Sequence, residues 1–174
     1  MPPASPHPTG REITFPETDL IVSKTDARGR ITYCNRVFLR VAGYEEHELL
    51  GAPHSIIRHP DMPRCAFKLL WDTIGAGQEI FAYVKNMARS GDHYWVFAHV
   101  TPSLDGDGKL LSYHSNRRTP KRSAVAAIEP IYRDLLAIEN GHADRKAGMH
   151  AAFDHLVGLL SSKGITYDRF VLAL

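Results

Sequence analysis

Cysteine is scarce: the 174 residues hold two, Cys34 and Cys65, and no Cys-x-x-Cys pair. A metal centre built from thiolates and a disulfide framework are both disfavoured, and the chain suits a reducing cytoplasm. Long apolar runs are also missing. No stretch approaches the ~20 residues needed to cross a bilayer, so no membrane insertion is expected. The opening Met1-Pro2-Pro3-Ala4-Ser5-Pro6-His7-Pro8 lacks the basic region and apolar run of a signal peptide. Neither sign of charge dominates, with 21 Lys and Arg against 19 Asp and Glu and a net charge of +2. That balance argues against a nucleic-acid binder, which normally carries a basic excess on one face. The short runs Arg117-Arg118 and Lys121-Arg122 read as a solvated strand end and a linker. Ten histidines are present, but no His-Glu-x-x-His and no metal-ligand spacing. There is no nucleophile elbow, no Gly-rich phosphate loop and no acid–base pair, so an enzyme is not expected.

What is present fits one globular domain with extensions. The chain is 44% hydrophobic and 23% charged, enough for a sizeable core. Residues 1–18 carry five prolines without apolar periodicity and read as a flexible or extended lead-in. Order is expected to begin near Asp19. Residues 20–25 and 31–34 read as two strands of a hairpin, joined through Asp26-Ala27-Arg28-Gly29-Arg30. Asn35 can cap a helix carrying Val37, Phe38 and Val41 that Gly43 ends. A short helix over Glu45–Leu50 stops at Gly51. After Pro63 a longer helix places Phe67, Leu70, Trp71 and Ile74 on one face. Strands follow over 80–87, 93–104 and 110–118. On the second of these, Tyr94, Val96, Ala98 and Val100 share one face, and His93, Trp95, Phe97 and His99 the other. Strands flanking a helical insert indicate an α+β fold with an antiparallel sheet. From Ser123 the chain reads as helices over 124–139 and 143–162, with a short piece from Tyr167. The domain boundaries are therefore 1–18, 19–120 and 121–174. The apolar stripes of the last segment must pack on the sheet, on each other or on a second copy of the chain.

One segment is chemically dense. Arg58-His59-Pro60-Asp61-Met62-Pro63 sets a guanidinium, an imidazole and a carboxylate on a backbone stiffened by two prolines. Such a segment can hold an anionic or polar ligand. Read alone, Arg58 beside Asp61 also makes a structural ion pair, Trp71 is also a core residue, Trp95 also packs a sheet face, and Asn35 and Asn86 also serve as cap and turn former.

Asp26–Asn35, Gly43-Tyr44 and Glu48–Gly51, in this order, resemble a PAS domain. The segments 58–63, Lys85-Asn86 and Gly91-Asp92-His93-Tyr94-Trp95 together resemble the FAD-binding PAS sensor of bacterial aerotaxis receptors. The resemblance covers roughly residues 18–120. It implies a five-stranded antiparallel sheet with helices over one face, and an FAD in the cleft between them whose redox state is the signal. Carried over by position, the cofactor-contact candidates are Asn35, Arg58, His59, Asp61, Phe67, Trp71, Asn86 and Trp95. Their chemistry suits a flavin: aromatic side chains make flat walls, a carboxamide matches a mixed donor–acceptor edge, and a guanidinium takes a diphosphate oxygen. An aerotaxis receptor continues into a membrane anchor and a coiled-coil region, and neither pattern occurs here. The expectation is therefore a cytoplasmic homodimer that passes its signal to a separate chemotaxis or kinase component. Alternatives are a cofactor-free PAS interaction module, a haem-PAS sensor using His54 or His59, and a small flavoenzyme. A thiol adduct at Cys65 lacks the motif of light-sensing relatives.

Overall fold

The computed structural model describes residues 6–174, so the start of the proline-rich lead-in, residues 1–5, lies outside the described residues. Strands β1 (Ile21–Asp26) and β2 (Ile31–Cys34) form the expected hairpin. Its turn is tied by Asp26, whose Oδ1 accepts from the Arg28 and Arg30 amides, both at 2.9 Å. Gly29 supplies the positive φ of 78° that the reversal requires. Helix α1 (Arg36–Ala42) is capped by Asn35 and closed by Gly43 in the left-handed region. Helix α2 (Glu46–Leu49) opens with a capping box between Glu45 and Glu48. A 3-10 turn over His54–Ile57 follows, where the sequence reads only an irregular segment. Helix α3 (Arg64–Gly75) leads into the meander of β3 (Ile80–Met87), β4 (His93–Leu104) and β5 (Leu110–Arg118).

The five strands form one antiparallel sheet in the order β2-β1-β5-β4-β3. The N-terminal hairpin thus adds beside the last strand, with Ser23 opposite Ser115 and Thr25 opposite Tyr113. Side chains alternate across the sheet. Tyr94, Val96 and Ala98 are buried on the inner face, toward α1, the 3-10 turn and α3. Tyr83, Lys85 and Trp95 lie on the outer face.

That outer face is covered by the C-terminal helices α4 (Arg122–Asn140), α5 (Arg145–Ser162) and α6 (Tyr167–Leu172). Tyr132 of α4 donates to the Tyr83 carbonyl at 2.7 Å and stacks on Trp95, with ring centroids 6.4 Å apart. Of the packing options open to the apolar stripes, the chain takes the sheet and itself: Ala124, Val125, Ile128 and Leu135 join the main core.

Order begins before Asp19. Residues 11–13 pair beside His93, with the Ile13 amide donating to the His93 carbonyl at 2.7 Å and the His93 amide to the Arg11 carbonyl at 2.8 Å. Ile13 and Phe15 pack on the core, and Glu12 is held by Arg122 of α4 through bonds of 2.6 and 3.1 Å. The strap is held by backbone pairing beside β4, by the ion pairs of Arg11 with Asp92 and of Glu12 with Arg122, and by the two apolar side chains.

Candidate functional site

The inner face of the sheet does not close completely against α3. A cavity of about 260 Å³ remains between them, floored by Val84, Ala98 and Val100 and walled by Phe67, Leu70, Trp71 and Ile74. The apolar face that the sequence places on α3 is thus its cavity face. Trp71 meets Tyr113 edge-on at 5.5 Å and rests against the hairpin turn, where a Cβ on Gly29 would lie 2.8 Å from its ring. Leaving out the Cβ at position 29 lets the β1–β2 turn close over this wall.

The polar lining is one-sided in charge. Arg28, Arg58 and Arg117 line the cavity, together with His54, Ser23, Thr25, Asn86 and Ser115, and no Asp or Glu does. Arg117 is 2% exposed. Its Nη2 donates to Ser23 Oγ at 2.6 Å and its guanidinium lies 4.4 Å over the Phe38 ring, but Nε and Nη1 have no hydrogen-bond partner. Burial draws its pKa down to about 10. Arg58 lies 3.8 Å over the Phe67 ring, leaves Nε unpartnered, and forms a backbone bridge to Asn86. Thr25 Oγ1 is unpartnered as well. Buried donors are normally satisfied, and a buried cation without a counter-charge costs several kcal/mol. Such a lining suits an apolar body with an acceptor-rich or anionic edge.

His54 completes the polar end. Its Nε2 lies 3.2 Å from Ser23 Oγ and its ring stacks on Phe38. Burial, helped by the Arg117 charge, lowers its pKa to about 3, so the ring is neutral at physiological pH. Ser23 takes its hydrogen bond from Arg117 and can pass its own proton toward His54 Nε2.

The eight sequence candidates separate into two groups. Arg58, Phe67, Trp71 and Asn86 line the cavity. Asn35, His59, Asp61 and Trp95 do not. The Asn35 carboxamide is used up locally, accepting from the Val22 and Phe38 amides at 3.1 and 3.0 Å and donating to the Leu20 carbonyl at 2.7 Å. Trp95 is paired with Lys85, one residue from Asn86. Strand alternation then puts it opposite the cavity, against Tyr132. His59 and Asp61 belong to that outer side too. Asp61 bonds Lys85 Nζ at 2.7 Å, while the buried His59 accepts from the Asp61 amide at 3.1 Å and meets His93 edge-on. Burial lowers the His59 pKa to about 4 against the opposing pull of Asp61. The six-residue segment therefore turns Arg58 inward and His59 and Asp61 outward, around the edge of β3.

Sequence reading missed Arg117, Ser23 and Thr25. The available signal was alternation: Tyr113, Ser115 and Arg117 share a face of β5, but the neighbouring Arg118 makes the pair look like a solvated strand end. Outside the cavity runs a larger groove of about 1000 Å³ that shares Ser55 and Arg58 with it and adds His59, Arg64, Arg89, His142 and Arg145 together with the carboxylates Glu48 and Glu139. Cys65 lines neither space. Its thiol is buried and pushed up to about 12, by burial and then by Glu139. Among the described residues, no cluster of three or more His, Cys, Asp or Glu could hold a metal ion, and no helix is long and apolar enough to cross a membrane.

Residues 31–116 match the PAS fold family. The architecture agrees: the light-oxygen-voltage domain of the blue-light photoreceptor aureochrome1 superposes with a TM-score of 0.55 at 23% identity, covering 70% of this chain and 84% of that one. Sheet order, helical insert and matched residues show that this chain contains a PAS domain. Within it, the chain is 39% identical to the aerotaxis receptor of Escherichia coli K12 over 132 residues, 76% of this chain and 26% of that protein. It is 32% identical to a nitrogen fixation regulatory protein of Klebsiella pneumoniae over 102 residues, 59% of this chain and 21% of that one. The chain thus spans about a quarter or less of these relatives.

Proposed function

We propose that this chain is a cytoplasmic PAS sensor that holds FAD non-covalently and signals redox state or oxygen supply to a separate partner. The observation that carries the reading is the cavity itself, with apolar and aromatic walls, unpartnered guanidinium donors and no carboxylate in its lining. Likeness to an aerotaxis receptor supports the same ligand class. Phe67 and Trp71 would hold the flat ring against the sheet, and Asn86 and Arg117 would meet its acceptor edge. Arg58 stands where cavity and outer groove meet and, with Arg145 of the groove, suits a diphosphate, which favours a dinucleotide over a mononucleotide; Arg64 and Arg89 are already paired with Glu139 and Glu48.

When bound, the flavin supplies a redox-dependent change of charge and hydrogen bonding at its polar edge. The chain's part is to register that change. Arg117 and Asn86 stand on β5 and β3, and a shift in their hydrogen bonds moves the balance between two arrangements of the surrounding elements. Neither enzymatic turnover nor a thiol adduct belongs to the reading. The lining brings together no acid–base or nucleophile constellation, and Cys65 lies outside it.

The partner side of the proposal is a homodimer that addresses a chemotaxis or kinase component. A second reading, a dimerisation module with an empty cavity, is favoured by one observation. Phe81, Phe97 and His99 stack on the outer face and remain only partly buried, with Phe81 and His99 centroids 4.2 Å apart. One experiment separates the two. The purified protein is expected to be yellow and to release FAD on denaturation. Arg58→Ala is expected to be colourless with unchanged far-UV circular dichroism. A colourless wild type that takes up no added FAD refutes the sensor, and a colourless dimer indifferent to Arg58→Ala supports the module.

A further inference from the structure

Glu139 is 0% exposed, yet it sits in the last turn of α4, where the helix dipole disfavours a carboxylate. Its own helix does not explain it. Its partners are on α3: Oε1 accepts from the Cys65 amide at 2.8 Å, and Oε2 accepts from the Arg64 amide and from Arg64 Nε, both at 3.0 Å. Helix α3 follows Pro63 and has no side-chain cap of its own. The free amides of its first turn are thus satisfied by a residue about seventy-five positions later. Helix α5 seals the arrangement. A Cβ on Gly148 would lie 2.4 Å from the Glu139 carbonyl oxygen, so only glycine lets α5 sit against this turn. Lys68 of α3 lies 5.1 Å over the Phe153 ring of α5.

The same α3 is a wall of the cavity. Phe67, under the Arg58 guanidinium, is one turn beyond the clamped amides, and Trp71 is one turn further. A route therefore runs from Arg58 and Phe67 through the first turn of α3 to Glu139 and on to α4 and α5. It passes around the edge of the sheet and not through its strands.

We propose that Glu139 is a positioning residue that couples the cavity to the C-terminal helices: clamping of α3 by its carboxylate and filling of the cavity stabilise each other. The proposal rests on the reading that the cavity binds FAD. By reciprocity, whatever docking of α4 and α5 adds to ligand affinity, the ligand returns to docking. The signal would then leave through the α4–α5 junction.

Hydrogen–deuterium exchange of the full chain, with and without added FAD, tests this. Added FAD is expected to slow exchange in residues 64–67 and also in 147–156 of α5, which line neither the cavity nor the outer groove. Glu139→Gln keeps the side-chain size but turns a donor toward the α3 amides. It is expected to weaken FAD binding on the order of 10-fold, and to abolish the slowing in 147–156 while that around Asn86 persists. Gly148→Ala, which leaves the carboxylate in place but forces α5 away, should do the same and serves where Glu139→Gln folds poorly. Wild-type protection confined to the walls of the cavity and the outer groove, or variants that respond as wild type does, would overturn the coupling. If wild type binds no FAD, the flavin reading falls, and the clamp is read without ligand. With Trp95→Phe, Trp71 is the single tryptophan left of two. Gly148→Ala shifts its emission if the clamp positions α3, and leaves it unchanged if it does not.

Discussion

A guanidinium buried without a carboxylate works against folding, and Arg117 is such a group. Replacing a buried charge by an apolar side chain of similar volume is often neutral or stabilising, by about 1–4 kcal/mol. Arg117→Met in the cofactor-free protein is therefore expected to raise the urea midpoint, or at least not lower it, despite losing the bond to Ser23 and the contact with Phe38. The same variant should retain FAD poorly, since its free donors were the reason for tolerating the charge. A large loss of stability with unchanged FAD affinity would show that Arg117 is structural. The contrast with Asn86 shows what a sequence reveals at this scale. Asn86 follows Lys85 near the end of a mostly apolar strand and is visible as an exception. Arg117 stands beside Arg118 and looks ordinary until the pairing of β5 with β1 and β4 buries one and exposes the other.

Among the elements, the helices and strands follow local signals: the cap at Asn35, the glycines at 43 and 29, and alternation along β4. The 3-10 turn over His54–Ile57 and the splitting of the Arg58–Asp61 segment do not, because both depend on where β3 passes. Trp95 illustrates the same limit. Its strand and face are readable, but which face meets the cavity is decided by Asn86 across the ladder. The β1–β2 turn and α3 form one unit through Gly29 and Trp71, and this gives an element-level test. Gly29→Ala puts an L side chain at φ 78° and a Cβ 2.8 Å from the Trp71 ring. The left-handed backbone alone costs about 1–2 kcal/mol. The variant is expected to lose about that much stability in urea melts and to alter Trp71 fluorescence, because the wall must swing toward the cavity or out of it. An unchanged spectrum with the same loss would confine the effect to the turn backbone.

For the molecule as a whole, folding encloses histidines on both sides of the sheet, His54 at the inner cavity and His59 and His93 toward the outer face, which the charge balance of the sequence does not reveal. His54 is lowered to about 3 by burial and by Arg117, and His59 to about 4 by burial. His93 is lowered in the same way, by burial and then by Lys85. An unfolded histidine titrates near 6.5. Between that value and the folded ones, the unfolded chain binds protons that the folded chain refuses, so stability rises with pH across this window. It is fully present above about pH 6.5 and drains as pH falls toward 4, at up to about 1.4 kcal/mol per pH unit for each histidine. Asp61 does not cancel the trend, because its pKa is lowered by Lys85, although burial works the other way, and it titrates below this window. From pH 7 to pH 5 the protein is expected to lose about 2–4 kcal/mol, counting His54 and His59. His54→Asn, which cannot take up the proton in either state, should remove about half of that loss while leaving the part due to His59. Urea unfolding at the two pH values measures both quantities. A wild-type stability that is flat between them would mean that the histidines are as free to protonate in the fold as outside it.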